Sequence, residues 1–469
     1  MNKTNKNTDT NQLIPTPESY FRTTCIEAGC TIDWYTGSDE TVIIPDTING
    51  EKVLCIGNSA FSSRNTKNLV ELTLPNSVIE IANCAFSPNE TLSKINIPSS
   101  VKKIGEWAFS GCTNITEINL PDSITRIHDC AFNSCTNLTH VSIPRNVKKI
   151  GKGAFGDCSK LSNISVDTDN ASFIDVDGVM FDKDMTTLVQ YPAGKECKKY
   201  TIPDHVTKIY DEAFDGCKNL TEVVIPGRVS EINDEAFSCC ENLKKINIPI
   251  SVTKIRKLVF GFCRSLPEIF IPASVTKIHN EAFEYCDNLR NITVDLDNKN
   301  FASVDGVLFN KDKSVLLHFP LGKKISAYVI PECVKVIGDR AFSDCTSLTS
   351  MVIPMSVTSI GVCAFSDCKN IKSISIPDSV TEIKNFAFSG CLSLENINIP
   401  NSVTSIGCFA FLCCYRLESI NIPGSVNEIG IEAFHCCENL KAINIDAPKD
   451  SIRIDEDTFP EDIAVYRNQ

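Results

Sequence analysis

The chain has 469 residues, 42% of them hydrophobic, and its formal net charge at pH 7 is −13. An acidic chain is favoured for solubility and suits neither nucleic acid nor an anionic membrane surface as a general partner. Its apolar runs are all shorter than the roughly 18 residues of a membrane-spanning helix. We therefore expect no nucleic-acid partner and no membrane insertion.

The N-terminal part of the chain differs from everything that follows it. Residues 1–18 are rich in Asn, Thr and Lys and are predicted to be a disordered tail. They lack the apolar core of a secretory signal, which predicts a cytoplasmic protein. Residues 19–60 are predicted to form an N-terminal cap and the first coil, with a strand over Cys30 to Tyr35 and a tight turn at Asn49-Gly50.

From residue 61 to residue 445 a single sequence unit repeats, and it is clearest between Ile95 and Ile115. Most copies are 23 residues apart, the outermost are 25 apart, and two steps are 59. A fixed period in this range is typical of solenoids, in which each coil buries its apolar side chains against its neighbours. The copies are marked by the Phe of an Ala-Phe pair, at Phe61, Phe86, Phe109, Phe132, Phe155, Phe214, Phe237, Phe260, Phe283, Phe342, Phe365, Phe388, Phe411, Phe434 and Phe459.

Within one copy, Leu92 to Ile97 ends in the apolar–polar alternation of a strand, and Pro98 stops it. A second extended stretch follows, in which Val101 and Ile104 are expected to point inward. The apolar residues from Ala108 to Ile115 then have the spacing of one face of a short helix or 3₁₀ turn. These patterns predict a β-rich repeat solenoid of about 17 coils, with short helical or 3₁₀ turns on its outer side.

The string I-P-x-S-V-x-x-I-G-x-x-A-F-x-x-C-x-x-L resembles the repeat of BspA-like leucine-rich repeat proteins, which occur in bacterial surface proteins and in some parasitic protists. The resemblance extends from Thr41 to Ile445, and it departs from the pattern at Cys333 and Val259. It implies a leucine-rich repeat array at the cell surface or outside the cell. It also implies adhesion to host or matrix proteins, as for a surface antigen.

Two inserts, residues 167–199 and 295–324, account for the long steps, and they are copies of each other 128 residues apart. Both contain Asp-Gly, at Asp177-Gly178 and at Asp305-Gly306, which predicts a tight turn. We interpret each insert as a coil whose helical turn is replaced by a β-hairpin. Residues 446–469 are predicted to form a C-terminal cap.

The chain has 24 cysteines, and twelve of them follow the repeat Phe by three residues. Small apolar side chains on the inner side of a turn explain this column, so we interpret them as buried thiols, which suit a reducing compartment. The alternative is a ladder of disulfides between adjacent coils. No cysteine or histidine spacing is typical of a metal site, and no catalytic motif is present, so we expect no metal, no cofactor and no enzyme activity.

The remaining candidate is the strand face, formed by the residue between the two apolar positions of each Ile-x-Ile. This column is mostly Asn, Ser and Thr, but four copies have an apolar residue there. Apolar residues with charged neighbours are typical of protein-contact sites. The predicted partner-binding residues are Phe270, Val224, Val329 and Val352 in the column, with Glu222, Lys245, Glu268 and Asn291 beside it.

The strand face predicts a non-enzymatic protein-binding module. Its partner is either a host or matrix protein, as the resemblance implies, or an intracellular protein held by a scaffold or adaptor. A β-helix enzyme that acts on polysaccharide is the third hypothesis. It requires clustered carboxylates, whereas this column is composed of Asn, Ser and Thr.

Overall fold

The computed structural model describes residues 14–446, 448, 452–455, 457–460 and 463–467, which divide into two units. The first unit comprises the residues up to 197 together with 209–219, and the second comprises 198–208 and the residues from 220 onward. Both units are built from the same kind of coil. Within the described residues, no helix is long and apolar enough to cross a membrane.

Each regular coil has two strands, and most strands pair in parallel with their equivalents in the adjacent coils, so that the strands form several separate ladders. In the first unit the first strands are Thr41–Ile43, Glu71–Thr73, Lys94–Asn96, Glu117–Ile118, His140–Ile143 and Asn163–Val166. The second strands are Glu51–Ile56, Glu80–Ile81, Lys103–Ile104, Arg126–Ile127 and Lys149–Ile150. The register is set by the repeat, because Ile127 pairs with Ile104 on one side and with Ile150 on the other.

The second unit follows the same plan. Its first strands are Lys199–Thr201, Glu222–Val224, Lys245–Ile246, Glu268–Ile271, Asn291–Val294, Ala327–Val329, Ser350–Val352, Ser373–Ser375, Asn396–Asn398, Ser419–Ile422, Ala442–Ile445 and Ala464–Arg467. Its second strands are Glu231–Ile232, Lys254–Ile255, Lys277–Ile278, Val336–Ile337, Ser359–Ile360, Glu382–Ile383, Ser405–Ile406, Glu428–Ile429 and Arg453–Ile454, and Lys208–Ile209 lies at the boundary between the units. The predicted repeat solenoid of about 17 coils is thus confirmed.

The chain ends add strands to these ladders. The strand Phe21–Ile26 follows a 3₁₀ helix at Glu18–Tyr20 and pairs with Gly29–Tyr35, where a disulfide joins Cys25 to Cys30. Near the other end, Ala464–Arg467 pairs with Ala442–Ile445, so the predicted C-terminal cap contains one further coil. Residues 1–13 of the predicted tail lie outside the described residues, whereas its Thr16 N–H donates to the Ile43 carbonyl over 2.9 Å.

The outer turn differs from the predicted helix. Ala108 and Ser110 donate their N–H groups three residues back, as in a 3₁₀ helix, but Trp107 and Phe109 donate to the next coil, at Asp129 and Ala131. A helix would direct all of these donors into its own turn. Trp107 has a positive φ of 58°, which allows alternate N–H groups to point toward the next coil. The outer turn is therefore a series of β-turns rather than a helix.

The repeat Phe forms the centre of the core in both units. In the first unit the rings of Phe109 and Phe132 are stacked with centroids 5.2 Å apart, and those of Phe132 and Phe155 follow at 5.5 Å. All of these rings are fully buried. Because the coils are in register, equivalent rings must meet face to face, which explains why this position is the most regular in the sequence.

Both inserts contain the predicted hairpin, but it lies elsewhere in the coil. The hairpin strands are Phe173–Val176 and Val179–Asp182 in the first unit and Phe301–Val304 and Val307–Asn310 in the second, followed by Thr187–Gln190 and Val315–His318. Their turns contain the predicted Asp-Gly pairs, and both residues of each pair have positive φ.

The prediction that the hairpin replaces the outer turn is wrong. Tyr191 and Phe319 take the place of the repeat Phe, because they stack on Phe214 and Phe342 at 5.1 and 5.2 Å. The outer turn is therefore retained, and the hairpin is inserted between the two strands of its coil. Aromatic residues without a preceding Ala hid this position in the sequence.

The twelve cysteines of the repeat column are buried thiols, as interpreted. Most of these thiols contact the carbonyl oxygen of the repeat aromatic residue one coil earlier, for example Cys135 and Phe109 at 3.2 Å or Cys368 and Phe342 at 3.0 Å. Burial raises the pKa of the Cys112 thiol to about 12 and holds that of Cys135 well above its ordinary value. Such thiols are protected from reaction because the thiolate is the reactive form.

We expect thiol labelling of the native protein to be fast only at the two exposed free cysteines, Cys333 and Cys436. Unfolding without a reductant should raise the total to the 22 free thiols, and reduction should add the two of the Cys25–Cys30 disulfide. Ellman's reagent with and without denaturant measures both counts, and Cys333→Ser is the control that removes one fast thiol. A total well below this after unfolding would indicate disulfides between coils.

Candidate functional site

The strand face is the outward side of the first-strand ladders, and all eight predicted site residues lie in its second-unit part. The structure places them in three ladders rather than in one. Glu222, Val224 and Lys245 belong to the ladder of Lys199–Thr201, Glu222–Val224 and Lys245–Ile246. Glu268, Phe270 and Asn291 belong to the pair Glu268–Ile271 and Asn291–Val294, and Val329 and Val352 belong to a third ladder.

The first ladder is organised by charge. Glu222 lies between Lys199 and Lys245, with N–O distances of 3.1 and 3.2 Å. Hydrogen bonds from Lys199 and then from Lys245 lower the pKa of the Glu222 carboxyl. Alternating charges on successive coils pair with one another because parallel register brings equivalent positions together. These exposed pairs add little stability and form a polar surround beside Val224, which is half-buried.

The second ladder presents the largest apolar side chain of the predicted set. Phe270 is 50% exposed although it lies in a paired strand, where it is opposite Thr293. Glu268 and Asn291, which are opposite each other in the same ladder, are also exposed. The preceding coil has Asn247 in this column, and its amide is bonded to the backbone N and O of Ile225 at 2.8 and 2.7 Å. Phe270 thus has only short polar side chains on either side of it in the column.

The third ladder contains a contiguous apolar pair. Val329 and Val352 are directly opposite each other in adjacent strands, and they are 69% and 59% exposed. A valine in a strand is favoured by its own backbone preference, and single exposed apolar residues are common on protein surfaces. Strand preference explains less readily why two valines at paired positions are both more than half exposed. Each of them leaves the apolar side chain of the other uncovered.

Sequence reasoning missed a second apolar column on the same side of the molecule. Ile250, Leu296 and Met355 are 80%, 93% and 61% exposed, and each lies four residues after the first apolar position of its strand. Most other copies have a polar residue or Gly there. These apolar residues stand out in the sequence, because most copies are polar at this position. The column, however, belongs to the turn after the strand, where the alternation of apolar and polar residues no longer indicates which side chains point outward.

The described residues provide no group of three or more His, Cys, Asp or Glu side chains that could hold a metal ion. The strand face itself has mainly Asn, Ser, Thr and apolar residues in its central column. Pairs of carboxylates that could serve as acid and base in glycoside hydrolysis are not a feature of that column. Its chemistry is that of a contact surface.

Comparison with known proteins agrees with this architecture. The family model for the BspA type leucine-rich repeat region, in six copies, matches residues 55–181, 193–314 and 324–463. No curated protein matches the chain.

Several solved structures are similar to it. A leucine-rich cell surface protein from Faecalibacterium prausnitzii is 28% identical, with 95% of this chain and 99% of that chain covered and a TM-score of 0.42. A leucine-rich repeat protein from Bacteroides ovatus is 25% identical, with 93% and 97% covered and a TM-score of 0.41. The pneumococcal vaccine antigen PcpA is 19% identical, with 96% and 91% covered and a TM-score of 0.41. Because the family model matches well over half of its residues, the chain belongs to the BspA-type leucine-rich repeat family.

Proposed function

We propose that this protein is a non-enzymatic binding module that holds a protein partner on the strand face of its second unit. The observation that supports this most directly is Phe270, an aromatic side chain that is half exposed in a paired strand of a two-stranded ladder. Aromatic residues are enriched among the few side chains that dominate binding energy at protein interfaces. Most copies of the repeat have Asn, Ser or Thr at this position, so stacking of the coils does not require an aromatic side chain there.

The surroundings of Phe270 support the same proposal. Ile250 and Leu296 belong to the coils immediately before and after it, and both are almost fully exposed. The charged ladder of Lys199, Glu222 and Lys245 ends in the coil immediately before Phe270 and extends over the two coils before that one. An apolar centre with a polar, solvent-accessible rim is the usual composition of a protein interface. Val329, Val352 and Met355 form a second apolar group beyond the second insert.

Membership in the family supports one choice of partner class. Resemblance to surface proteins favours a host or matrix protein, which makes adhesion the finer form of the proposal. Binding through the strand face does not depend on which kind of partner is present. The exposed apolar side chains would bind the intracellular partner of a scaffold equally well.

The test is surface plasmon resonance with the full chain immobilised and a panel of purified matrix proteins as the probes. Phe270→Ala should weaken any saturable binding by at least about tenfold, the loss expected for a central anchor. Asn398→Ala is the matched control, because Asn398 occupies the same column in a polar part of the ladder and should leave binding unchanged.

Two results would contradict the proposal. One is the absence of saturable binding to every protein in the panel. The other is binding that survives both Phe270→Ala and the double substitution of Val329 and Val352 by serine. Circular dichroism of each variant separates a lost contact from a lost fold.

A further inference from the structure

A cavity of about 230 Å³ lies beside the second insert, within the second unit. Phe283 of the preceding coil and Phe301 and Leu308 of the hairpin form its apolar wall, and all three are buried. Gly338 of the following coil borders it, and the exposed Asp339 lies at its mouth. The cavity is distinct from the strand face, and the proposed protein-binding function makes no use of it.

The internal duplication explains why this space is open. The residue equivalent to Gly338 in the first unit, 128 positions earlier, is Tyr210, and its ring packs against the core of that unit. The Tyr210 hydroxyl lies 3.4 Å from the Ile150 carbonyl oxygen. Both residues hold the same backbone position, because Tyr210 N–H donates to Leu188 O at 3.0 Å and Gly338 N–H donates to Leu316 O at 2.8 Å. At this position the two copies therefore differ by one phenol side chain.

The exposures of the surrounding residues are consistent with this difference. Val189 is buried in the first unit, whereas its equivalent Leu317 is only partly buried. Ile150 and its equivalent Ile278 differ in the same way. A more open groove of about 310 Å³ lies over Tyr210, but Lys and Asp side chains line it and Tyr210 forms part of its wall.

One polar group of the cavity is left without a partner. His318 occupies the place of the repeat Ala, is only 8% exposed, and its Nε2 has no hydrogen-bond partner among the described residues. The equivalent Gln190 is bonded through its amide to two backbone carbonyls, at Tyr191 and Ala213. Burial lowers the pKa of His318 to about 4, so its imidazole is neutral at pH 7 and has one nitrogen that accepts. A buried polar nitrogen without a hydrogen-bond partner is costly, and native proteins contain few such groups.

We propose that this cavity is a binding site for a neutral phenol, whose ring packs against Phe283, Phe301 and Leu308 and whose hydroxyl donates to Nε2 of His318. The volume is sufficient, because an apolar cavity of about 150 Å³ already holds benzene. The first unit has a phenol of its own, that of Tyr210, at the equivalent position. A free phenol and the tyrosine side chain of a peptide share this chemistry.

The test is isothermal titration calorimetry of the full chain with p-cresol, with toluene as the matched probe that lacks the hydroxyl. The wild-type chain should bind p-cresol saturably with one site and at least about tenfold more tightly than toluene, the ratio expected for one buried hydrogen bond. N-acetyl-tyrosinamide distinguishes the two sources: its binding indicates a peptide tyrosine, and binding of p-cresol alone indicates a free phenol. Absence of saturable p-cresol binding would overturn the proposal.

Variants taken from the other copy provide the controls. Gly338→Tyr should abolish p-cresol binding, whereas Gly338→Ala should retain it. A Cβ at Gly338 lies 2.9 Å from Leu316 O, so both variants require the same small shift, and the first unit accommodates a tyrosine there. Tyr210→Gly should add a second site.

His318→Gln keeps the cavity and should remove the preference for p-cresol over toluene. If Gly338→Tyr does not fold, His318→Gln still tests the proposal. A preference unchanged in His318→Gln, or p-cresol binding unchanged in a folded Gly338→Tyr, would contradict the proposal.

Discussion

Phe365→Ala should destabilise the second unit by about 3–5 kcal/mol, the range for removing a fully buried phenylalanine. The Phe365 ring is stacked between those of Phe342 and Phe388, with centroid distances of 5.2 and 5.4 Å. Its N–H donates to Ala387 O, a bond that alanine keeps, so the loss is confined to the ring. Because each coil is stable only against its neighbours, the damage should extend to adjacent coils. Urea denaturation followed by circular dichroism measures the loss as a lower midpoint.

Phe386→Ala is the matched control, since it removes the same side chain from the adjacent coil. The Phe386 ring lies on the outer side of the turn, partly exposed, and stacks only on Phe409 at 4.7 Å. We expect a cost below about 1.5 kcal/mol, in line with one aromatic pair. Equal losses in the two variants would mean that the Phe column is not the centre of the core.

The regular features of this fold could be predicted from the sequence because each depends on contacts between equivalent residues. The Phe column is one example, and the buried thiols are another. The Asp-Gly turns of the inserts could be predicted for a different reason, since positive φ at two successive residues is a local requirement. In each case the physical cause is contained within one repeat or one turn.

The outer turn could not be predicted because its conformation is decided by the neighbouring coil. Ala108, Phe109, Cys112 and Ile115 have helical spacing, yet alternate N–H groups donate across the coil boundary. Sequence periodicity reports which side chains are buried, and several backbones can bury the same set. The hydrogen bonds between coils select the one with positive φ at Trp107.

The strand face and the cavity also differ in how far they could be predicted from the sequence. Phe270 and the exposed valines are visible as breaks in a polar column, so the sequence was sufficient to find them. The cavity beside His318 required two further pieces of information. One is that His318 takes the place of an inner Ala, and the other is that Tyr210 and Gly338 are equivalent residues on the cavity side of their coils.

Asn298 is a further residue whose role is visible only in the structure, where it joins the second insert to the coil before it. It is completely buried, and its amide donates to Pro272 O at 2.8 Å and to Val275 O at 3.0 Å. Its carbonyl oxygen accepts from the backbone N–H groups of Asn300 and Phe301, both at 2.8 Å. One side chain therefore makes four hydrogen bonds, two to each side of the junction.

Asn298→Ala should cost about 2–4 kcal/mol, because it leaves buried backbone groups without partners on both sides of the junction. Asn298→Asp should be at least as harmful at neutral pH, since it places a carboxylate against two carbonyl oxygens. Thermal unfolding monitored by circular dichroism measures both. Asn300→Ala, which removes an exposed side chain and keeps the N–H, is the control and should lie within about 0.5 kcal/mol of the wild type.

The duplication supplies an independent replicate of this experiment. Asn170 makes the equivalent four bonds in the first unit, with its amide at 2.8 and 3.1 Å from Pro144 O and Val147 O and its oxygen accepting from Ser172 and Phe173. Asn170→Ala should therefore destabilise the first unit to a similar extent. Since Phe301 also forms a wall of the cavity, only the change at Asn298 should weaken p-cresol binding. If both asparagine variants were as stable as the wild type, the four hydrogen bonds would make no net contribution to stability. The hairpins would then be held by apolar packing alone.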